Sequence, residues 1–100
     1  MNAGIVPGCL VISTAGRDSG KYYMVLEMSP EGTVHLVDGQ AKRVARPKKK
    51  NVKHLSFYSG PSPEIDKKIT AGLRITDMDV RRELQDVDTA DSKDEVTTVP

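Results

Sequence analysis

The sequence has little of what several classes of protein depend on. It contains one cysteine, no tryptophan and only four aromatic residues among 100. The lone Cys9 excludes an intramolecular disulfide and a zinc site built on thiolates. No run approaches the roughly 20 apolar residues of a membrane-spanning helix, and residues 1–8 lack the basic and apolar regions of a signal peptide. We therefore expect a cytoplasmic protein that does not enter a membrane.

Charge is distributed unevenly along the chain. The formal net charge is only +1, yet residues 1–60 carry a net charge of +5 and residues 61–100 a net charge of −4. This asymmetry points to a nucleic-acid partner and an opposing acidic tail. Residues 87–100 are acidic and contain no aromatic residue, which predicts that they are disordered.

Residues 1–60 have the pattern of a small β domain. Apolar or alternating segments predict five short strands, at about 9–13, 21–28, 33–37, 42–45 and 53–57. In the second strand, four side chains alternate as on one face of a sheet: Tyr22, Met24, Leu26 and Met28. Asp38-Gly39 is typical of a type I′ hairpin turn. Short strands joined by glycine-rich turns favour a small antiparallel barrel or sandwich.

Residues 61–86 change to the hydrophobic period of a helix and predict a short helical appendage. Ser62 before Pro63 is a helix start, and Gly72 is a helix stop. Thr76 begins a second helix, with Asp77 and Asp79 favourable to its dipole. The apolar stripes are Ile65, Ile69 and Leu73, and then Val80, Leu84 and Val87. Helices this short must pack on the barrel, on each other or on a partner.

The main functional signal is the basic segment, residues 42–53. It contains seven cations and no acidic residue: Lys42, Arg43, Arg46, Lys48, Lys49, Lys50 and Lys53. Several of these on one face would contact phosphates and release counterions. Pro47 cannot join a central strand, which predicts that the lysine triplet lies in an exposed loop. A solvated loop or an edge-protecting charge cluster is the alternative, but seven uncompensated cations favour nucleic acid.

Residues 7–26 resemble a KOW motif, with an apolar strand (Cys9–Ser13), a glycine-bearing basic loop (Thr14–Lys21) and a second apolar strand (Tyr22–Leu26). Val34–Gly39 and Pro47–Leu55 extend the match. The chain is similar to small bacterial stand-alone KOW proteins and to KOW-bearing large-subunit ribosomal proteins of archaea and eukaryotes. The resemblance covers residues 7–55 and, less specifically, the helical residues 65–84.

The resemblance implies an SH3-like five-stranded barrel that binds structured RNA, often ribosomal RNA. By position, the family's loop glycine falls on Gly16, and its basic loop groups fall on Arg17 and Lys21. Together with the basic segment and His54, these are the candidate RNA contacts. This chain lacks the long basic extensions of ribosomal members and ends acidic. A transient, translation-related role therefore fits better than permanent incorporation into a ribosome.

No motif predicts catalysis, and we expect no enzyme activity, no cofactor and no metal. The segment Gly16–Tyr22 differs from a nucleotide-binding phosphate loop, because three residues separate its glycines and Tyr22 follows Lys21. His35 and His54 have no neighbouring pattern of a catalytic triad.

The alternative to RNA binding is a protein-interaction adaptor. SH3-like barrels also bind peptides, and residues 63–84 would dock on a partner through four apolar side chains: Ile65, Ile69, Val80 and Leu84. Among the four aromatic residues, at least two are expected in the core, and Tyr58 is the best candidate to stack on an unpaired base.

Overall fold

The computed structural model describes residues 4–85 and residue 87. Its elements, in chain order, are β1 (Leu10–Ser13), β2 (Tyr22–Met28), β3 (Thr33–Val37), β4 (Lys48–Asn51), a 3-10 turn (Val52–His54), β5 (Leu55–Ser59), α1 (Pro63–Thr70) and α2 (77–85). The predicted mainly β fold of five strands followed by two helices is confirmed. No helix among the described residues is long and apolar enough to cross a membrane.

The five strands form one antiparallel, barrel-like sheet in the order β4-β3-β2-β1-β5. The two edge strands, β4 and β5, are consecutive in sequence and are joined by the 3-10 turn. The backbone of this turn is tied to the rest of the sheet, because the Val52 N–H donates to the Gly32 carbonyl at 2.9 Å.

Both faces of the sheet are covered by apolar side chains. The inner core contains Ile5, Cys9, Val11, Tyr23, Val25, Val34, Leu36 and Val52. The outer core contains Leu10, Met24 and Val37 from the strands and Ile65, Ile75, Val80 and Val87 from the C-terminal region. Burial on both faces explains the continuous apolar run in β2, which a strand with one solvated face would interrupt with polar residues.

A β-bulge changes the side of the sheet on which Met28 lies. Tyr22, Met24 and Leu26 belong to the outer core, as their alternation predicts, whereas Met28 packs on the inner core. The register shifts between Val25 and Glu27. One extra residue reverses the alternation beyond it, so the prediction that Met28 shares a face with Met24 is wrong.

The predicted fourth strand, at 42–45, is wrong, and β4 lies at Lys48–Asn51 instead. Asp38 Oδ1 accepts hydrogen bonds from the N–H groups of Gln40 and Lys42, at 2.9 and 2.8 Å. These bonds stabilise a loop that is longer than the predicted two-residue turn. A type I′ turn requires positive φ at both central residues. Among the described residues, only glycines have positive φ, so Asp38 does not meet this requirement.

Helix α1 begins and ends as predicted. The Ser62 hydroxyl accepts from the Ile65 N–H at 3.2 Å, and Pro63 is the first helical residue. At the other end, Gly72 N–H donates to the Ile69 carbonyl and Leu73 N–H to the Lys68 carbonyl, which together form a Schellman motif.

Helix α2 begins with a reciprocal cap. The Thr76 hydroxyl accepts from the Asp79 N–H at 3.1 Å, and the Asp79 carboxylate accepts from the Thr76 N–H at 3.0 Å. The aspartate fills the role that glutamate or glutamine has in a capping box. It also receives a hydrogen bond from Lys68 of α1 at 2.6 Å, so the same carboxylate joins the two helices.

The helices share the outer core with the sheet. Ile65 and Val80 are 2% and 0% exposed, whereas Leu73, the third residue of the first predicted stripe, is 60% exposed. Val87, where the disordered tail is predicted to begin, is helical and buried. Residues 88–100 of that tail lie outside the described residues.

The packing of the 38–47 segment on α2 can be tested at Gly39, where the segment lies close to the backbone of the helix. Gly39 has φ +79°, and a Cβ there would lie 2.7 Å from the Asp77 carbonyl oxygen. Gly72 has φ +75° with no atom within 4 Å of such a Cβ. Alanine at either position costs about 1–2 kcal/mol for the left-handed backbone. We expect Gly39→Ala to lower the free energy of unfolding, measured with urea, by more than Gly72→Ala does. The reason is that the new methyl group also forces the Asp77 carbonyl away. Equal losses would contradict this packing.

Candidate nucleic-acid interface

The β1–β2 loop, residues 14–21, is built around the carboxylate of Asp18, which is only 6% exposed. Its Oδ1 accepts hydrogen bonds from Ser13 Oγ at 2.9 Å and Lys50 Nζ at 2.7 Å. Its Oδ2 accepts from the Tyr23 hydroxyl at 2.9 Å and Lys48 Nζ at 2.7 Å. These five residues form the Asp18 cluster, which joins the loop to β1, β2 and β4.

The electrostatics of the Asp18 cluster favour the ionised carboxylate. Burial alone would raise the pKa of Asp18, but the hydrogen bonds from Lys48 and Lys50, and then from Ser13 and Tyr23, hold this pKa far below its ordinary value. Burial and the hydrogen bond to Asp18 raise the pKa of Tyr23 well above that of an ordinary phenol. Tyr23 therefore remains a hydrogen-bond donor throughout the neutral pH range.

The hydrogen-bonding capacity of the cluster is well used. Lys50 Nζ donates a second hydrogen bond, to the Ala15 carbonyl at 2.7 Å. Among the described residues, no buried side-chain nitrogen or oxygen lacks a partner. A fully connected buried polar network of this kind is rigid, and removing one member lowers the stability of the fold because its partners are left without hydrogen bonds.

The lysine triplet lies in a strand and not in the exposed loop that Pro47 predicts. Lys48 and Lys50 are paired with Leu36 and Val34 and share their face of the sheet, where Asp18 lies. Because β4 is an edge strand, a proline directly before it removes no ladder hydrogen bond. The prediction of an exposed loop is wrong because a proline excludes only a central strand and is compatible with the start of an edge strand.

Lys49 differs from its two neighbours because side chains alternate along a strand. It is paired with His35 on the opposite face and is exposed, whereas the side chain of Lys50 is only 10% exposed. The expectation that the basic segment has no compensating acid is therefore wrong for two of the three lysines. Asp18, which is distant in sequence, neutralises part of their charge.

Three backbone N–H groups of the β1–β2 loop form hydrogen bonds within the loop or to the end of β1. The N–H groups of Ser19, Gly20 and Lys21 donate to the carbonyls of Gly16, Ser13 and Asp18, at 3.2, 2.7 and 2.9 Å. Gly16 has φ +87° and is exposed, like Arg17 beside it. A phosphate at this loop would therefore meet the side chains of Arg17 and Lys21 and not the N–H of Gly20.

The 3-10 turn lies against the same loop. The Thr14 N–H donates to the His54 carbonyl at 2.9 Å, and the preceding Lys53 is exposed. The loop, β4 and the 3-10 turn thus bring one set of predicted residues to the same end of the sheet. We call this set the loop-end group: Arg17, Lys48, Lys50, Lys53 and His54.

A second set of predicted residues, Lys42, Arg43 and Arg46, lies on the 38–47 segment. This segment packs on the start of α2, where the Val44 N–H donates to Asp77 Oδ1 at 2.8 Å. The Arg43 guanidinium donates to the Gln40 carbonyl at 3.1 Å. Lys21, which belongs to neither set, lines a surface depression together with Asp38 and Gln40 at the start of the 38–47 segment.

The predicted contact residues divide by exposure. Those that are exposed are Gly16, Arg17, Lys21, Arg43, Arg46, Lys49 and Lys53. Those that are half-buried are Lys42, Lys48, Lys50 and His54. Sequence reasoning missed the three residues that organise the site, which are Ser13, Asp18 and Tyr23. The only local signal was that Asp18 is the single acidic residue of the β1–β2 loop.

Within residues 4–85, no group of three or more histidine, cysteine or acidic side chains is placed to hold a metal ion. No protein-family model matches the sequence, and no curated protein is significantly similar to it. The resemblance to KOW proteins therefore depends on the residues quoted for it in the sequence.

Removal of the Asp18 carboxylate is expected to destabilise the fold strongly. Asp18→Ala leaves two lysine side chains, at 10% and 30% exposure, without their counter-charge, and breaking a buried ion pair in this way costs roughly 3–5 kcal/mol. The free energy of unfolding, measured with urea, checks this. Glu31→Ala, in the exposed β2–β3 turn, is the matched control and should cost less than about 0.5 kcal/mol. Equal effects of the two changes would show that the cluster is not structural.

Stability is expected to fall in acid because of the same carboxylate. Its folded-state pKa lies far below the unfolded value of about 3.9, so the unfolded chain binds more protons as the pH falls. The contribution of Asp18 is present above that unfolded value and is lost progressively from about pH 5 downward. We expect Asp18→Asn to have a shallower decline of unfolding free energy between about pH 5 and pH 2. Parallel curves for the two proteins would rule out this role.

Proposed function

We propose that this protein is a non-catalytic, KOW-type RNA-binding protein with an SH3-like barrel, and that it contacts structured RNA of the ribosomal type in a translation-related role. The observation that carries this proposal is the loop-end group. In it, the β1–β2 loop, β4 and the 3-10 turn bring cations to one end of the sheet, and a single buried carboxylate fixes the two lysines of β4. Two lysines against one aspartate leave the cluster positive, and Arg17 and Lys53 add exposed charge beside it.

The cations in and next to the loop-end group have two different roles. Lys48 and Lys50 hold the loop in place through Asp18. Arg17 and Lys53, together with Lys49 on the other face of β4, are exposed and form no ion pair within residues 4–85. The exposed side chains are the ones available for phosphate. Arg17 suits that contact because its guanidinium forms two parallel hydrogen bonds with phosphate oxygens. Because the cluster fixes the loop before RNA arrives, little ordering is needed on binding.

Recognition through such a surface depends on the shape of the RNA and on its phosphates more than on base sequence. Structured RNA is the favoured ligand, since a folded RNA presents phosphates in a fixed arrangement. The acidic residues 61–100, with a net charge of −4, support a transient association. A protein with this charge partition would be released from RNA more readily than one with basic extensions.

A protein-interaction adaptor is the second candidate, and only part of its predicted docking surface is exposed. Ile65 and Val80 are buried in the outer core and are not available to a partner. The large apolar side chains exposed on the helical part are Ile69 at 37%, Leu73 at 60% and Met78 at 61%. These three exposed apolar side chains are the observation that favours the adaptor.

The test of RNA binding neutralises only exposed cations, so that the Asp18 cluster is left intact. We expect the triple variant Arg17→Gln, Lys49→Gln, Lys53→Gln to bind a structured ribosomal RNA fragment more weakly. Its slope of log K against log salt should be shallower by about 2, since each lost phosphate contact removes about 0.7–0.9. Fluorescence anisotropy at several salt concentrations provides both quantities.

Two control variants separate the candidate functions. Lys67→Gln with Arg74→Gln removes exposed charge from α1 and the helix linker and should leave the RNA affinity and its salt slope nearly unchanged. Leu73→Ser with Met78→Ser should also leave RNA binding unchanged. If wild-type protein shows no RNA binding at 50 mM salt, or if the triple variant binds as well as wild type, the RNA proposal is wrong and the adaptor becomes the better candidate.

A further inference from the structure

One surface depression is lined by aromatic and polar side chains that phosphate binding does not require. It has a volume of about 420 Å³ and lies between the β1–β2 loop, the loop after β3 and the end of α2. Its lining residues are Gly20, Lys21, Tyr22, Asp38, Gln40 and Leu84. It therefore combines an aromatic ring, an amide, a carboxylate and a cation within one small site.

The aromatic ring in this depression is held in place from behind. Tyr22 is half-buried and packs on the outer core. The ring of Tyr58 meets it edge to face, with centroids 5.0 Å apart and an interplanar angle of 85°. Tyr58 is 37% exposed. Tyr22 lines the depression, and an aromatic ring fixed in this way can stack on a nucleobase with little loss of side-chain entropy on binding.

The polar groups suit the edge of a base. Asp38 Oδ1 accepts hydrogen bonds from the Gln40 and Lys42 N–H groups, which fix the orientation of the carboxylate while its second oxygen forms no hydrogen bond to a described residue. The Gln40 side chain is exposed. A carboxylate oxygen accepts from the amino group of a base, and a glutamine amide both donates and accepts, so the pair covers both kinds of partner that base edges present.

One cation lies within the depression, and two others line the depression next to it. Lys21 is part of its lining, and a Cβ at the adjacent Gly20 would have no atom within 4 Å, so the approach is open there. A neighbouring depression shares Asp38, Gln40 and Leu84 and adds Arg81 and Arg82. An RNA strand with one base in the first depression would therefore have positive charge on both sides.

We propose that this depression receives one unpaired nucleobase, so that the RNA ligand includes single-stranded nucleotides. The base stacks on Tyr22, Asp38 and Gln40 contact its edge, and Lys21 contacts its phosphate. A base inside a duplex has both faces stacked and its pairing edge occupied, and it would not enter. This inference rests on the proposed function and adds to it the class of RNA that is bound.

The experiment compares labelled eight-nucleotide RNA homopolymers with a sixteen-base-pair RNA duplex, using anisotropy with wild type and three variants. Tyr22→Leu keeps the packing on the outer core but removes the ring. We expect it to lower affinity for the single strand by about 5- to 150-fold, the range found for loss of base stacking. Tyr22→Phe keeps the ring and should bind the single strand within about threefold of wild type, because the stacking face is unchanged.

Gln40→Ala tests the base edge without affecting the fold, because the hydrogen bonds formed by Gln40 in the structure involve its backbone. We expect it to lower the affinity for the single-stranded homopolymer that wild type binds most tightly by about tenfold, because one hydrogen-bonding group at the base edge is lost. Its salt slope should remain that of wild type, because no phosphate contact is lost. None of the three variants should change binding to the duplex.

The possible outcomes separate this inference from the proposed function. If duplex and single strand bind equally and both Tyr22→Leu and Gln40→Ala bind the single strand as wild type does, the depression does not take a base, although RNA binding through the loop-end group stands. If wild type binds neither probe nor the ribosomal RNA fragment, both proposals are wrong. Gln40→Ala keeps the test decisive if circular dichroism shows that Tyr22→Leu is unfolded.

Discussion

The arrangement of the basic surface depends on one buried carboxylate. Asp18 sits between two lysines of the edge strand and the hydroxyls of Ser13 and Tyr23, with contacts of 2.7–2.9 Å. Without it, two ammonium groups on the same strand face would repel each other beside apolar side chains. The position of the β1–β2 loop, and with it that of Arg17, follows from this contact. The same residue thus contributes to stability and sets the geometry of the candidate interface.

The two cores explain why the helices belong to the fold. A five-stranded sheet of this size buries one face by curling on itself, and its other face needs a cover. Ile65 and Val80 provide that cover over Met24 and Val37 of the sheet. In turn, the 38–47 segment is held by α2 through the contact between Val44 and Asp77. The charged residues of that segment are therefore placed by packing on the opposite side of the sheet from the Asp18 cluster.

Much of the fold follows from local patterns in the sequence. Caps, apolar periods and turn residues predict both helices and four of the five strands to within a few residues, because each of those signals acts over a few neighbouring positions. The position of β4 was missed because its side chains are almost all charged, and hydrophobic alternation gives no signal there. The Asp18 cluster was missed for a related reason, since its two lysines are 30 and 32 residues from Asp18 and only the strand register brings them together.

The three adjacent lysines of β4 show how identical side chains acquire different roles. A hydrophobic strand has its register specified by the burial of alternate apolar residues, but Lys48-Lys49-Lys50 contains no such difference. Here the acid on a distant loop distinguishes one strand face from the other. A slip of β4 by one residue would bring Lys49 to the face of the Asp18 carboxylate, so only one lysine of the triplet would face it in place of two. Within this charged strand the register is thus specified by an ion pair, and the buried Val52 that follows the strand supports the same register.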